Sequence, residues 1–173
     1  MKLVELTVAE NYGYGAFMQK GFVAHPDCFR ISPADHRYES FPTTGQPDSF
    51  TLGALTDQGE LAGSVSFRRE GQNRERLRHK GLLFAMYVAA DYGGQGIGRR
   101  LIEEVIGRAR SLPHLEQIVL TVIATNHVAK RLYESIGFCS FSLEPRAIKD
   151  GNTYYDEEQM VLFLDRNLNA AFS

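Results

Sequence analysis

The sequence has few cysteines and no long apolar run. Among 173 residues, only Cys28 and Cys139 occur, and their separation matches no spacing that is typical of a metal or redox site. No apolar stretch approaches the ~20 residues that a membrane-spanning helix needs, and residues 1–5 lack the apolar segment of a signal peptide. Because so few cysteines favour a reduced chain, we expect a cytoplasmic protein with no metal site and no membrane partner.

An excess of charge of one sign is also missing. Lysine and arginine total 19 and aspartate and glutamate 21, which leaves a formal net charge of −2. Nucleic-acid binding generally requires many cationic side chains to neutralise phosphates, so no nucleic-acid partner is expected. One cluster departs from this balance, because six cationic side chains lie between Arg68 and Lys80. A solvated hairpin loop explains this cluster, and a surface for an acidic substrate or partner is the alternative.

No repeat or low-complexity tract divides the chain, so residues 1–173 are expected to form a single domain. Apolar periodicity and turn residues predict strands at 2–8, 49–56, 60–69, 81–90, 117–123, 138–148 and 153–164. They predict helices at 9–29 with a bent middle, one turn near 34–38, 97–111 and 128–136. Strands joined through a helix are expected to be parallel neighbours, and an Asp-Gly turn closes the last two strands into a hairpin. The expected fold class is α/β (α+β), a mixed sheet with helices on its faces.

A glycine-rich segment, residues 91–100 (DYGGQGIGRR), joins a buried strand to an amphipathic helix. Glycine lets the backbone approach a ligand closely. The helix N-terminus adds unpaired N–H groups and a partial positive charge, and Arg99 and Arg100 add formal charge. These features together predict a site for a pyrophosphate.

Two common nucleotide-binding loops do not fit this segment. A Walker loop needs Lys and a hydroxyl residue after its last glycine, but Arg99 and Arg100 follow Gly98. A Rossmann loop needs a third glycine where Arg99 stands. A glycine-rich turn without a ligand is the alternative, although four closely spaced glycines cost chain entropy.

A second motif follows the next predicted strand. Residues 126–138 (NHVAKRLYESIGF) match the pattern Asn-x-x-Ala-x-x-x-Tyr-x-x-x-Gly-Phe. Together with residues 94–99, this segment resembles the GNAT superfamily of acyl-CoA-dependent N-acetyltransferases, and the resemblance covers about residues 82–164. It implies a mixed, mostly antiparallel central sheet of about six to seven strands flanked by about four helices. It also implies acetyl-CoA as co-substrate.

The resemblance implies a role for each motif. The backbone of Met86, Tyr87 and Val88 would pair with the pantetheine arm, and the N–H near Val88 would polarise the thioester carbonyl. Asn126 would bond to the pantetheine, although helix capping alone also explains it. Tyr133, two helical turns further on the same face, would protonate the departing CoA thiolate, with half-buried packing as its alternative. The pyrophosphate would be held by the glycine loop, that is, by Gly94, Gln95, Gly96, Ile97, Gly98 and Arg99.

The sequence departs from the family pattern at two positions. Gly93 stands where the family has Gln or Arg, so Arg99 or Arg100 is expected to compensate. Leu82 stands about where many members have a Glu that serves as the base. A base helps because an alkyl amine with a pKa of about 10.4 is almost wholly protonated at neutral pH. The other candidates for the base are Glu144, Tyr154, Tyr155, Asp156 and His79. A bound water, or an acceptor that is already neutral, would remove the need for one.

The predicted function is transfer of an acetyl group from acetyl-CoA to a primary amine by direct attack in a ternary complex, since no nucleophile with a base partner is evident. A non-catalytic acyl-CoA-binding or sensing module is one alternative, and a protein-interaction domain that uses residues 68–80 is another. The acceptor, a small molecule or a peptide, stays open among protein N-termini, lysines, amino acids, polyamines and aminoglycosides. Residues 154–158 would either contact a cationic amine or form a strand with solvated charges. A homodimer is expected from base rates alone.

Overall fold

The computed structural model describes residues 1–36, 40–71 and 74–165, without the side chain of Tyr12, and places seven strands and four helices there. The strands are β1 (Lys2–Leu6), β2 (Ser49–Leu55), β3 (Leu61–Arg69), β4 (Lys80–Val88), β5 (Gln117–Ile123), β6 (Cys139–Asp150) and β7 (Thr153–Phe163). The helices are α1 (Asn11–Ala24), α2 (Pro33–His36), α3 (Ile97–Arg110) and α4 (His127–Ile136). These elements confirm the predicted fold class and strand count. Residues 37 and 38 of the predicted turn lie outside the described residues.

The strands form one sheet in the order β1-β2-β3-β4-β5-β7-β6. β4 and β5, which α3 connects, are parallel neighbours as expected, while the other described pairs are antiparallel. The prediction that β5 and β6 would be neighbours is wrong, because β7 lies between them. Since β7 buries Met160, Val161 and Leu162 and residues 140–146 of β6 are exposed, the more apolar strand takes the interior position and β6 takes the edge.

Apolar side chains cover the two faces of the sheet in separate clusters. On one face, α3 and α4 pack against the sheet through residues such as Leu101, Val105 and Tyr133. On the other face, α1 contributes Tyr14, Phe17, Met18 and Phe22 to a second cluster. The sheet is thus the middle of three layers. A ligand that reaches both helical layers must therefore pass through a gap between two strands.

Helix α1 runs without interruption over Asn11–Ala24, so it ends before the predicted residue 29. Two of its glycines face neighbouring elements. A Cβ atom on Gly21 would lie 2.9 Å from the ring of Tyr87 on β4, and the carbonyl of Gly15 accepts a hydrogen bond from Nε2 of His36 at 3.1 Å. Gly21 thus lets α1 approach β4 at short distance, whereas a Cβ on Gly15 would make only an ordinary contact, 3.8 Å from His36.

Candidate active site

The strands β4 and β5 separate after a short paired stretch. Lys80–Leu82 pairs with Gln117–Val119, and beyond these residues a cavity of about 1070 Å³ lies between the two strands. Residues of α1 and the segment 28–31 line it from one face of the sheet. Asn126, Ala129 and Tyr133 line it from the other face. The cavity is therefore accessible to groups from both helical layers.

A β-bulge in β4 lies at the edge of this cavity. Ser64 pairs with Tyr87 and Ser66 pairs with Phe84, so two residues of β4 oppose one residue of β3. One of the two, Ala85, has a φ of 48°, a left-handed conformation that costs a non-glycine residue about 1–3 kcal/mol. A bulge bends its strand and redirects side chains. Sequence reasoning missed it, because Ala85 lies within an ordinary apolar run.

Of the three β4 residues predicted to pair with the pantetheine arm, Met86 lines the cavity, whereas Tyr87 and Val88 are absent from its described lining. The N–H of Ala89 donates to the carbonyl of Ala62 on the β3 side at 3.0 Å. Tyr87, two residues earlier, lies opposite Ser64 of β3. Since backbone groups alternate sides along a strand, the N–H groups of Met86 and Val88 point away from β3 and toward the gap. Of the three predicted residues, Tyr87 differs, because its backbone pairs with β3 and its ring packs on Phe17 of α1.

The glycine loop leads directly into α3. Gly94 and Gly96 have φ values of 72° and 74°, which favour glycine, and a Cβ atom at either would meet no described atom within 4 Å. Open space beside a glycine backbone leaves room for a ligand. Gly98 instead serves packing, since a Cβ there would lie 2.9 Å from Met86 and 3.0 Å from Leu132. Ile97 is buried in the core and Gln95 is exposed.

The first turn of α3 offers free backbone donors. The first helical bond runs from the N–H of Arg100 to the carbonyl of Gly96, so the preceding N–H groups have no partner within the helix. The Arg99 side chain is engaged elsewhere, because it donates to Oγ of Ser135 at 2.6 Å and pairs with Glu103 at 3.4 Å. The expected compensation for Gly93 therefore falls to Arg100, which is exposed.

Asn126 and Tyr133 of the second motif both reach the cavity. Oδ1 of Asn126 accepts from the N–H of Ala129 at 3.1 Å, so Asn126 caps α4 as the capping interpretation predicts. Tyr133 is 7% exposed, and its hydroxyl donates to Sδ of Met86 at 3.7 Å. Burial raises the pKa of Tyr133 to about 12. The phenol is therefore protonated at neutral pH, and a thioether sulfur is a weak acceptor that a stronger one can replace.

The candidates for a base that the sequence suggested do not line the cavity. The carboxylate of Asp156 accepts from the N–H of Arg146 at 2.7 Å, and the ring of Tyr154 lies under the guanidinium of Arg146 at 3.7 Å. Glu144 is exposed on β6, and His79 lies just before β4, where its carbonyl accepts from residues 116 and 117. Like these four, Tyr155 is absent from the described cavity lining.

Glu157 on β7 is the carboxylate that sequence reasoning missed. It is 1% exposed and is the one carboxylate among the described residues that line the cavity. Nε of Arg30 lies 3.0 Å from its Oε1. Burial raises the pKa of Glu157, Arg30 opposes this shift, and Glu144 adds to it. The expectation that residues 154–158 carry solvated charges is wrong for Glu157 and also for Glu158, which bonds to Lys130 and Ser140.

The cationic cluster between Arg68 and Lys80 divides into three parts. Arg74 and Arg76 are exposed, as expected for a solvated loop. Arg69 is a structural anchor, because it bonds to Asp48 and to the carbonyls of residues 78 and 113. Arg68 lies over the ring of Phe84, 5.1 Å from its centroid, and lines the cavity.

Neither a membrane-spanning helix nor a metal-ligand cluster is found in the described part of the chain. None of its helices combines the length and apolarity needed to span a bilayer. None of its His, Cys, Asp and Glu side chains form a group of three or more that could hold a metal ion.

Comparisons with known proteins agree with this architecture. The model of the acetyltransferase (GNAT) family matches residues 17–138, which include both predicted motifs. A mycothiol acetyltransferase from Acidothermus cellulolyticus is 30% identical over 144 residues, which cover 75% of this chain and 42% of that protein. An acetyltransferase of the GNAT family from Streptococcus pneumoniae has a TM-score of 0.77 at 23% identity, with 94% of this chain and 98% of that chain covered. A Salmonella typhimurium protein whose structure includes its cofactor acetyl-CoA has a TM-score of 0.76 at 20% identity, with 96% and 95% covered.

The fold and the cleft beside the glycine loop define an acyltransferase-like α/β protein. The chain belongs to the GNAT acetyltransferase family, which confirms the resemblance seen in the sequence. It spans 42% of the length of the curated relative from Acidothermus cellulolyticus.

Proposed function

We propose that this protein transfers an acetyl group from acetyl-CoA to a primary amine by direct attack in a ternary complex. The observation that carries the proposal is the gap between β4 and β5, which has Tyr133 in its wall and Met86, a neighbour of Gly98 in the glycine loop, at its edge. A fold neighbour holds acetyl-CoA as its cofactor, and the family match supports acetyl transfer.

The cofactor is proposed to lie along the gap with its pyrophosphate at the start of α3. The unpaired N–H groups there and the helix dipole favour an anion. The six loop residues from Gly94 to Arg99 would contribute mainly backbone contacts, and Arg100 would add charge. The pantetheine arm would pair with the free N–H groups of Met86 and Val88 as an added strand. The amide nitrogen of Asn126 is not used by the cap and would bond to the arm.

The chemistry at the thioester needs a hydrogen-bond donor that stabilises the oxyanion and an acid that protonates the departing sulfur. The N–H of Val88 points into the gap, where it would stabilise the oxyanion that forms as the amine attacks. Tyr133 would give its proton to the departing sulfur, in place of its weak bond to Met86. The ordinary pKa of a phenol is about 10 and burial raises that of Tyr133 further, so the acid form is available at neutral pH.

The test is calorimetric titration with acetyl-CoA followed by a thiol-release screen over a panel of amines. We expect binding and release of free CoA with at least one amine class. Binding without thiol release over a broad panel would support the non-catalytic acyl-CoA-binding module instead. The absence of binding at millimolar acetyl-CoA would refute both functions and would leave only the family fold.

The remaining expectations from the sequence also stay proposals. We propose a cytoplasmic single-domain protein, from the cysteine usage, with a small-molecule or peptide amine as partner and no nucleic acid. A homodimer is proposed as well, and the edge strand β6 carries exposed Phe141 and Leu143. Sedimentation equilibrium measures the oligomeric state, and a monomer at high concentration contradicts this proposal.

A further inference from the structure

We infer that Glu157 and Arg30 form the acceptor subsite, and that the acceptor is a small amine that also carries a carboxylate. The inference rests on the proposed acetyl transfer. It assigns the acceptor's ammonium to Glu157 and the acceptor's carboxylate to the guanidinium groups of Arg30 and Arg68.

Glu157 lies on the face of the sheet that α1 covers. Its neighbour Glu158 pairs with Lys130 of α4, and successive side chains of a strand point to opposite faces. Glu157 therefore points away from α4, into the part of the cavity that α1 and residues 28–31 line. Tyr133 lines the cavity from the α4 side. This arrangement leaves one side of the gap for the cofactor and the other side for the acceptor.

The carboxylate of Glu157 has an ion-pair partner but no hydrogen bond among the described residues. Nε of Arg30 lies 3.0 Å from Oε1, yet neither Oε1 nor Oε2 accepts a hydrogen bond there, although both oxygens are buried. A buried carboxylate without hydrogen bonds is unfavourable. An ammonium group supplies up to three N–H donors, so an amine bound at Glu157 would satisfy these oxygens.

The ion pair with Arg30 is unequal in its exposure. The Glu157 side chain is 2% exposed, while that of Arg30 is 63% exposed. A guanidinium that is mostly exposed to water loses little free energy when it exchanges one ion-pair partner for another. Arg30 is therefore free to leave Glu157 to an incoming ammonium and to bind an anionic group in turn.

Arg68 adds a second cation to the same cavity. Its guanidinium lies over the ring of Phe84, and no described carboxylate other than Glu157 lines the cavity beside it. Once an ammonium neutralises Glu157, the described residues that line the cavity include no further carboxylate for the guanidinium groups of Arg30 and Arg68. A zwitterion complements this set of charges, whereas a polyamine or a lysine-rich peptide would add further positive charge beside Arg30 and Arg68.

The proton balance of the reaction is as follows. Glu157 accepts one proton from the bound ammonium, and the nitrogen lone pair then attacks the thioester carbon. A C–N bond forms and the C–S bond breaks. Tyr133 delivers a proton to the sulfur and is reprotonated as the nitrogen loses its second proton. The products are the amide, the CoA thiol and one proton that Glu157 returns to solvent.

The first experiment compares matched acceptors with the wild-type protein at saturating acetyl-CoA. Each α-amino acid is paired with the amine that lacks its carboxylate, such as phenylalanine with phenethylamine and leucine with isoamylamine. We expect the KM in thiol release to be at least tenfold lower for the amino acid. Thiol release that is equal or better with the decarboxylated amines overturns the carboxylate assignment but leaves the proposed acetyl transfer intact.

The second experiment uses variants to test separately the proposed contact with the acceptor's carboxylate and the proposed contact with its ammonium. Arg68→Met is expected to raise the KM for the amino acids about tenfold and to leave the KM for the decarboxylated amines unchanged. Glu157→Gln is expected to lower kcat/KM at least 100-fold for both kinds of acceptor without a change in the acetyl-CoA Kd. Glu75→Gln is the control, because Glu75 is exposed and is not among the described residues that line the cavity, and it should stay within about threefold of wild type.

Two results would overturn the inference. One is wild-type kcat/KM in Glu157→Gln, and the other is an equal loss for both acceptors in Arg68→Met. If Glu157→Gln does not fold, Glu157→Asp keeps the charge on a shorter side chain. A shorter carboxylate that reaches the ammonium less well should raise the acceptor KM and leave the acetyl-CoA Kd unchanged, and an unchanged KM overturns the inference in that case.

Discussion

The surroundings of the Tyr133 hydroxyl bear on its proposed role as the acid. The side chain packs against Phe138, with 5.8 Å between the ring centroids, and its hydroxyl faces only the sulfur of Met86 among its described partners. With a pKa of about 12, the phenol is protonated below that pH and loses its proton only above it. A free thiol has a pKa of about 8.5, so proton transfer to a thiolate in water would be unfavourable. In a site that excludes water, the difference between the two pKa values is smaller, because burial destabilises the thiolate and so raises the pKa of the thiol as well.

The substitution Tyr133→Phe tests this role. It removes the hydroxyl and keeps the ring in place, so kcat should fall tenfold or more while the acetyl-CoA Kd changes little. Steady-state kinetics and calorimetry on the same preparation measure the two quantities. Because the phenol of the wild type titrates near pH 12, the fold loss should be constant between pH 6 and 9. Unchanged kcat would remove Tyr133 from the mechanism.

At the scale of elements, the contact between α1 and β4 positions the side of the cavity that is proposed to bind the acceptor. Gly21 lies against the ring of Tyr87, and Tyr87 follows the bulge residue Ala85 on β4. Residues of α1 line the cavity, as do Ala85 and Met86. A shift of α1 would therefore change the acceptor side of the cavity and leave the glycine loop and α3 in place.

The substitution Gly21→Ala tests this arrangement. Its Cβ would lie 2.9 Å from the packed ring of Tyr87, and crowding of this kind costs about 1–3 kcal/mol. We expect a lower Tm and a higher acceptor KM, with an unchanged acetyl-CoA Kd.

Gly13→Ala is the control for helix propensity. A Cβ at this exposed position of α1 meets no described atom within 4 Å, so Ala should stabilise the helix by roughly 0.5–1 kcal/mol. Thermal unfolding of both variants separates crowding from propensity. Equal stabilisation by the two substitutions would show that the close contact at Gly21 does not limit packing.

At the scale of the whole molecule, the sheet has two parts that meet over a short paired stretch. β1 to β4 form one part and β5, β7 and β6 form the other, and the two are hydrogen-bonded through residues 80–82 and 117–119. The proposed cofactor would fill the gap beyond this stretch. A ligand that binds only the folded state stabilises it by mass action. A ligand in the gap would also contact both parts of the sheet where β4 and β5 are not hydrogen-bonded to each other.

Acetyl-CoA should therefore raise the Tm markedly. At a concentration of 100 times Kd, the stabilisation is about 2.7 kcal/mol, which corresponds to roughly 5–11 °C for a chain of this size. S-acetylpantetheine, which lacks the pyrophosphate, is the control and should give a much smaller shift at the same concentration. Differential scanning fluorimetry measures both, and equal shifts would contradict the pyrophosphate site at α3.

Most of the fold follows from local patterns along the chain. The seven strands, the turn before β7 and the α3 and α4 boundaries were predicted from periodicity, glycine and capping residues, because these signals act within a few residues. The order β5-β7-β6 was not predicted, since it depends on which strand of the hairpin buries more apolar surface. The end of α1 was also not predicted, and two of the glycines that suggested a bend serve contacts with Tyr87 and α2.

The sequence by itself determined the family and predicted the residues of the proposed cofactor site, since the glycine loop and the Asn126–Phe138 motif act through local backbone geometry. Only the tertiary structure pointed to the proposed acceptor side. Glu157 belongs to the cavity because the β5–β7 register turns it inward opposite Ile123, and Arg30 reaches it from a distant segment. Burial and charge pairing between residues far apart in sequence leave no local pattern, so the fold had to place them.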